Sequence, residues 1–208
     1  EFLYPILKLI RFLNCINTLI LDCRCSRHIC CVAVGTSCNG VLAVALHIHG
    51  AVRADDALRP DGKLCKREIV EHSGGACVLY SEDGKILLVK QYRYAYGETI
   101  YEIPAGKLNA GEEPALAAAR ELEEEAGIRA DCLTLLFTMY PTPGYTNEKI
   151  YIYRAENGTH TSAHLDEGEF LTAEFLPEET VKRMLESGEI NDGKTIIALQ
   201  AYFLSLKN

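Results

Sequence analysis

Short apolar segments bounded by polar turn sequences recur along the chain from residue 52 to residue 175. Runs of this length between turn signals predict strands, because a helix needs a longer periodic segment. The first two segments flank Pro60-Asp61-Gly62-Lys63, a strong turn sequence, and therefore predict a hairpin. The predicted strands cover residues 52–58, 65–71, 76–80, 86–92, 133–140, 149–155 and 169–175.

Helical periodicity replaces this pattern after Pro114 and again over residues 178–187 and 192–206. Pro114 suits the first turn of a helix, and Gly127 suits the left-handed position that ends one. The helix between them has an apolar stripe that we expect to pack on a sheet; it consists of Ala115, Ala118, Ala119, Leu122 and Ala126. Many strands with few helices predict an α+β domain, in which helices cover a mixed sheet.

The same helix carries Glu121, Glu124 and Glu125, which we expect on the side opposite the apolar stripe. Like charges three or four residues apart repel by about 0.2–0.5 kcal/mol per pair. A divalent cation removes that conflict, and oxygen ligands suit Mg²⁺ or Mn²⁺. Arg120 can pair with Glu124 one turn on and orient the carboxylates. A bare run of glutamates is usually a solvated surface, but the glycine loop before this helix, residues 106–113, and Gly127 after it favour a metal site.

Composition narrows the classes of function. The 208 residues carry a net charge of −8, which argues against binding a nucleic-acid backbone. An acidic protein that acts on an acidic phosphate needs a metal ion between them. Cys65, Cys77 and Cys132 occur singly in apolar settings, so each is interpreted as a small buried residue. Unpaired cysteines indicate a reducing compartment, and we expect a cytoplasmic protein without a disulfide framework.

The first 46 residues differ from the rest. Six of the nine cysteines fall within the first 38 residues, and residues 29–46 form an uncharged run at the lower edge of a membrane span. Three interpretations stay open: a membrane or signal segment, a genuine extension, or residues outside the natural reading frame. The predicted division is therefore an extension over residues 1–46 and a catalytic domain over residues 47–208.

Gly106 to Ile128 matches the pattern G-x5-E-x7-R-E-U-x-E-E-x-G-U, with U an aliphatic residue, at every specified position. The segment resembles the Nudix box. Residues 90–93, 102–106, 141–144 and 166–170 are similar to motifs that occur in the same order in the ADP-ribose pyrophosphatase branch of that family. The resemblance covers about residues 48–206.

The resemblance implies a Nudix fold, with a mixed sheet between helices and an N-terminal hairpin. It implies metal-dependent hydrolysis of ADP-ribose to AMP and ribose 5-phosphate. Hydrolysis of another nucleoside diphosphate sugar, such as GDP-mannose, or of a dinucleotide is an alternative. A third is a non-catalytic nucleotide-binding module, although the intact glutamates argue against it. The resembled branch also implies a homodimer whose hairpins, residues 52–71, exchange across the two-fold axis.

Roles carry over from the family position by position. The implied metal ligands are the carbonyl of Ala105 and the carboxylates of Glu121, Glu125 and Glu169. Glu124 lies at or near the metal and completes the catalytic set with Arg120. Glu167 is the first candidate for the general base, on a separate acidic loop. The solvated-loop alternative stays open for Glu167, and Glu148 is a second candidate acid.

Substrate contacts are implied for residues outside the acidic helix. Arg93 would contact the phosphates or the terminal ribose, since a guanidinium suits phosphate. Arg67 and Glu68 resemble positions that read the adenine, and Gly106 and Gly144 complete the substrate-binding set. Two further groups are interpreted as structural: aromatic residues of core or interface packing, and histidines without metal-ligand spacing. They are Tyr92, Tyr94, Tyr96, His72, His160 and His164.

Overall fold

A computed structural model describes residues 34–36, 42–46, 50–166 and 168–206 of the chain. The chain divides into two compact units, with the boundary between Val70 and Glu71. The first unit contains one antiparallel sheet in the order β1-β2-β3-β4. Its strands are β1 (Val34–Thr36), β2 (Leu42–Leu46), β3 (Gly50–Leu58) and β4 (Leu64–Val70).

Strands β3 and β4 form the predicted hairpin, with Leu58 opposite Leu64. Gly62 donates its backbone N–H to the carbonyl of Arg59 at 2.9 Å and closes the turn. Strand β3 begins at Gly50, two residues before the predicted start, because Gly50 pairs with Leu46 of β2. The predicted domain boundary after residue 46 stays a prediction, and the six cysteines of the N-terminal segment lie outside the described residues.

The second unit is built on a mixed sheet of seven strands, in the order β11-β6-β5-β10-β9, with β7 beside β6 and β8 beside β5. Strand β10 runs parallel to β5, and the other pairs are antiparallel. The strands are β5 (Gly75–Glu82), β6 (Lys85–Arg93), β7 (Glu98–Glu102), β8 (Ala105–Lys107), β9 (Ile128–Met139), β10 (Ile150–His160) and β11 (Leu171–Pro177).

Three helices accompany this sheet: α1 (Pro114–Ala126), α2 (Glu178–Ser187) and α3 (Gly193–Ser205). Pro114 begins α1 as predicted, and Gly127 ends it with φ 65° and its N–H on the carbonyls of Leu122 and Glu123. A Cβ at Gly127 would also lie 2.7 Å from the carbonyl oxygen of Thr161, so the position requires glycine. Asp192 caps α3 by accepting from the backbone N–H of Thr195.

The helices pack on opposite faces of the sheet. Ala76, Val78 and Tyr80 of β5 belong to the core cluster that contains Leu122 of α1. Cys77 and Leu79 belong to the other cluster, which contains the buried hydrophobic residues of α2 and α3. Both faces of β5 are therefore buried, which explains its continuous apolar sequence. The predicted α+β class, with a mixed sheet between helices, is confirmed.

Several packing predictions need correction. Cys77 is fully buried, but Cys65 is half-buried and Cys132 is exposed, because β9 is an edge strand. Tyr92, near the end of β6, and Tyr94 and Tyr96 after it are all exposed, so they do not pack in the core of this chain. Their role at an interface stays a prediction. No helix in the described part of the chain is long and apolar enough to cross a membrane.

Candidate active site

Helix α1 places two of its glutamates on the buried side. Glu121 and Glu125 are only 8% and 5% exposed, and they adjoin the buried Leu122. The expectation that they lie opposite the apolar stripe is therefore wrong. Each helical residue turns by about 100°, so residues 121 and 125 flank that stripe instead. The helix thus presses two carboxylates against the sheet.

Glu125 lies against the start of β8. Its Oε2 accepts a hydrogen bond from the backbone N–H of Ala105 at 3.0 Å. Burial raises the pKa of Glu125 to about 8, with added repulsion from Glu121, Glu169 and Glu102, while the Ala105 N–H opposes the rise. In this environment the ionised carboxylate lacks a compensating charge.

Glu121 lies directly against the next residue of β8. A Cβ on Gly106 would overlap the carboxylate of Glu121, so glycine at this position leaves the space that the carboxylate occupies. Burial raises the pKa of Glu121, and the charges of Glu124 and Glu169 raise it further, whereas Arg120 lowers it. Strand β8 and helix α1 therefore bring two buried acidic groups to one place.

Arg120 is the cation nearest to these carboxylates. Its Nη1 donates to Glu121 at 2.7 Å and to Glu124 at 2.8 Å. Its Nε donates to Oε1 of Glu112 at 2.9 Å, and its Nη2 donates to the carbonyl of Lys107 at 3.0 Å. The pairing with Glu124 was predicted, but the bonds to Glu112 and Glu121 were not. One guanidinium thus joins the glycine loop, strand β8 and helix α1.

The donor set fits a hard divalent cation. Glu121 and Glu125 supply buried carboxylate oxygens, and the pKa values of both side chains are raised. A bound divalent cation would stabilise their ionised forms. Among the described residues, no three acidic, histidine or cysteine side chains already converge on one point. The reason is visible in the contacts: Arg120 holds Glu121 and Glu124, and the N–H of Ala105 holds Glu125.

The family model for the NUDIX domain matches residues 70–199. This chain belongs to the Nudix family. It is 43% identical over 156 residues to the ADP-ribose pyrophosphatase of Bacillus subtilis (strain 168), covering 74% of this chain and 83% of that protein. It is 38% identical over 152 residues to a methanol dehydrogenase activator of Bacillus methanolicus, covering 72% and 82%.

A solved structure supports the same fold. It is a crystal structure of an ADP compounds hydrolase, which superimposes with a TM-score of 0.70 over 88% of this chain and 97% of the other. At 24% sequence identity, this likeness shows the fold alone. Helix α1 and the glycine loop before it are the Nudix box of this chain.

The acidic loop after β10 is tied to the end of the Nudix helix. The backbone N–H of Thr161 donates to the carbonyl of Gly127 at 2.6 Å, and that of His164 donates to the backbone carbonyl of Glu124 at 2.8 Å. Glu169 closes the loop, since its Oε2 accepts from the N–H of Asp166 at 3.3 Å. Its charge reaches both buried glutamates of the helix, whose pKa values it raises. Glu167 lies outside the described residues.

Of the predicted substrate residues, Arg93 has the most defined environment. Its Nε and Nη2 donate to the two carboxylate oxygens of Glu102 at 2.6 and 2.8 Å, and its side chain is 40% exposed. Arg67 and Glu68 are exposed on β4, in the first unit. Gly144 lies in an exposed turn between β9 and β10.

Sequence reasoning missed Glu102, which is buried and lies three residues before Ala105. The available signal was an acidic residue at the end of an apolar strand, next to Ile-Pro-Ala-Gly. The structural interpretation of the histidines fits their contacts. Nδ1 of His72 accepts from the N–H of Gly74 at 3.0 Å and lies 3.5 Å from Glu148, and His160 pairs with Glu82.

Proposed function

We propose that this Nudix protein hydrolyses the diphosphate of ADP-ribose to AMP and ribose 5-phosphate, with Mg²⁺ or Mn²⁺. The observation that carries the proposal is the pair of buried glutamates, Glu121 and Glu125, packed against β8 within a complete Nudix box. The 43% identity to a protein named ADP-ribose pyrophosphatase supports the choice of substrate.

The proposed cation ligands are the carbonyl of Ala105 and the carboxylates of Glu121, Glu125 and Glu169, with Glu124 at or near the metal. A bound divalent cation neutralises the charge on a diphosphate and activates water for hydrolysis. The same cation would also relieve the repulsion between the buried carboxylates of Glu121 and Glu125. The charge of Glu169 already acts on both of them.

Arg120 orients the carboxylates in this proposal. Its guanidinium contacts Glu112, Glu121 and Glu124 together and therefore restricts their rotamers. The carboxylate of Glu125 is oriented instead by the backbone N–H of Ala105 in β8. The general base is assigned to Glu167, with Glu148 as the second candidate. A base on a loop can approach the reacting water once substrate is bound.

Substrate contacts are proposed for Arg93, which would bind the phosphates or the terminal ribose, and for Gly106 and Gly144. Two hydrogen bonds to Glu102 fix the orientation of the Arg93 guanidinium. Arg67 and Glu68 are proposed to read the adenine across the interface of a cytoplasmic homodimer.

A substrate panel tests the proposal. ADP-ribose, GDP-mannose and a dinucleotide are incubated with the protein, Mg²⁺ and alkaline phosphatase, and released phosphate is measured with malachite green. Phosphatase releases phosphate only from the monoesters that diphosphate hydrolysis creates. We expect the highest kcat/KM with ADP-ribose and no turnover by Glu125→Gln. A higher kcat/KM with GDP-mannose would replace the substrate, and no turnover of any would indicate a binding module.

A further inference from the structure

Residues 102–105, which connect β7 to β8, form hydrogen bonds to four other elements: β5, β6, α1 and α3. Glu102 ends β7, and Ala105 begins β8. The carbonyl of Pro104 accepts from the N–H of Val78 on β5 at 2.9 Å. The N–H of Ala105 donates to Glu125 on α1 at 3.0 Å. The position of the Ala105 peptide therefore also depends on what fixes Ile103 and Glu102, the residues before Pro104.

Ile103 is fixed by the first turn of α3. Its backbone N–H donates to Oγ1 of Thr195 at 2.9 Å, and both residues are fully buried. The hydroxyl of Thr195 in turn donates to Oδ2 of Asp192 at 2.6 Å. Since that hydroxyl has one proton and gives it to Asp192, its lone pairs face Ile103. The hydrogen bond thus has a defined direction, from the backbone of Ile103 to the side chain of Thr195.

Glu102 is fixed by the same turn. Its carboxylate is 2% exposed and accepts hydrogen bonds from Arg93 on β6 and from Nζ of Lys194 on α3. Nζ of Lys194 also contacts Asp192 at 3.0 Å. Burial opposes the charge of Glu102, but Arg93 and Lys194 outweigh it and hold its pKa below the ordinary value. Two cations and two anions therefore form a charge-compensated network around the buried carboxylate of Glu102.

We propose that Thr195 and Lys194 are positioning residues for the cation site: through Ile103 and Glu102, the N-terminal turn of α3 sets the place of the Ala105 carbonyl. The inference rests on the proposed function, because Ala105 is a ligand only in that proposal. The physical reason is local. Residues 103 and 104 lie between two strands, so the backbone N–H of Ile103 bonds to the side chain of Thr195 instead of to a neighbouring strand. Residues that orient a metal ligand through hydrogen bonds commonly change the affinity for the metal.

Mn²⁺ affinity of the purified full chain, measured by electron paramagnetic resonance in the absence of substrate, tests the inference. Thr195→Val keeps the shape of the side chain and removes the hydroxyl, whereas Thr195→Ser keeps the hydroxyl. We expect about 10-fold weaker Mn²⁺ binding for Thr195→Val, and binding within about twofold of the wild type for Thr195→Ser. The same order is expected for the Mg²⁺ concentration that half-activates hydrolysis.

Tyr202→Phe is the matched control. Tyr202 lies two turns further along α3, and its hydroxyl donates to Glu178 at 2.7 Å. This variant loses a hydrogen bond of the same helix without touching the chain before Ala105. It should lower the melting temperature and leave Mn²⁺ affinity unchanged. Equal losses of affinity in Tyr202→Phe and Thr195→Val would mean a general loss of stability and would overturn the inference.

The variant Glu125→Gln separates the inference from the proposed function. If it binds Mn²⁺ as tightly as the wild type, the cation site itself is wrong. If it loses binding while Thr195→Val retains full affinity, the site stands and the positioning role is overturned. Should Thr195→Val fail to fold, Lys194→Gln takes its place under the same criterion, since it removes the contact to Glu102 and leaves the Thr195 hydroxyl intact.

Discussion

Replacing Glu125 by glutamine should change how stability depends on pH when no metal is bound. The folded protein raises the pKa of Glu125 from 4.5 to about 8, mainly because the side chain is buried. A group with a raised folded pKa stabilises the fold fully below its unfolded pKa, and this contribution is lost as pH rises. Between about pH 4.5 and 8 the folded state keeps a proton that the unfolded chain has released.

The magnitude follows from the size of the shift. Each pKa unit corresponds to 1.36 kcal/mol, so the shift to about 8 amounts to about 5 kcal/mol when fully expressed. From pH 5 to pH 8 the wild type should lose about 3–4 kcal/mol through this group alone. Glutamine keeps an acceptor for the N–H of Ala105 and cannot ionise, so the variant should lack this loss.

Urea unfolding in EDTA at pH 5, 6, 7 and 8 measures the effect. The difference in unfolding free energy, variant minus wild type, should rise by about 3–4 kcal/mol across the series. Glu186→Gln, which removes an exposed carboxylate from α2, is the control for loss of one charge. A difference that stays constant within about 0.5 kcal/mol, below the size of one ordinary hydrogen bond, would refute the assignment of a repelled, buried carboxylate at this position.

Three further outcomes are expected. Gly106→Ala should abolish Mn²⁺ binding and turnover, since its Cβ would overlap the carboxylate of Glu121; a variant with wild-type affinity contradicts that packing. Glu167→Gln should lower kcat by roughly 10²–10⁴-fold at saturating Mg²⁺, whereas Glu169→Gln should raise the Mg²⁺ requirement, and identical metal titrations would refute these roles. Light scattering at micromolar concentration should give the mass of a dimer; a fully active monomer would exclude the adenine pocket proposed across the interface.

Local sequence signals predicted the ends of the helices well. Pro114 and Gly127 mark the ends of α1 by their own backbone preferences, and the structure ends the helix where they predict. Strands were less predictable, because their length depends on the partner. Strand β9 begins at Ile128 instead of residue 133, and β10 extends to His160 instead of residue 155, since these two ends pair with each other.

The site was predictable in its composition and not in its packing. The spacing of Glu121, Glu124 and Glu125 follows from the sequence, but their burial depends on how the helix meets the sheet. Arg120 pairs with Glu124 by helical spacing alone, whereas its bonds to Glu112 need the closed glycine loop. The contact between Glu102 and Lys194 joins residues 92 positions apart, which no local pattern indicates.

Two buried carboxylates near the segment Pro104-Ala105-Gly106 meet opposite electrostatic conditions, and the contrast shows where a cation belongs. Glu102 is covered by Arg93 and Lys194, so its pKa is lowered and its charge is already compensated. Glu125 accepts a hydrogen bond from the backbone N–H of Ala105, is repelled by Glu121, Glu169 and Glu102, and has a raised pKa. A divalent ion would gain little at the first carboxylate and much at the second. Because Arg93 and Lys194 neutralise the charge of Glu102, the contacts before β8 do not need a metal ion. The charge of Glu125 has no such partner among its described contacts, so a bound cation would stabilise it.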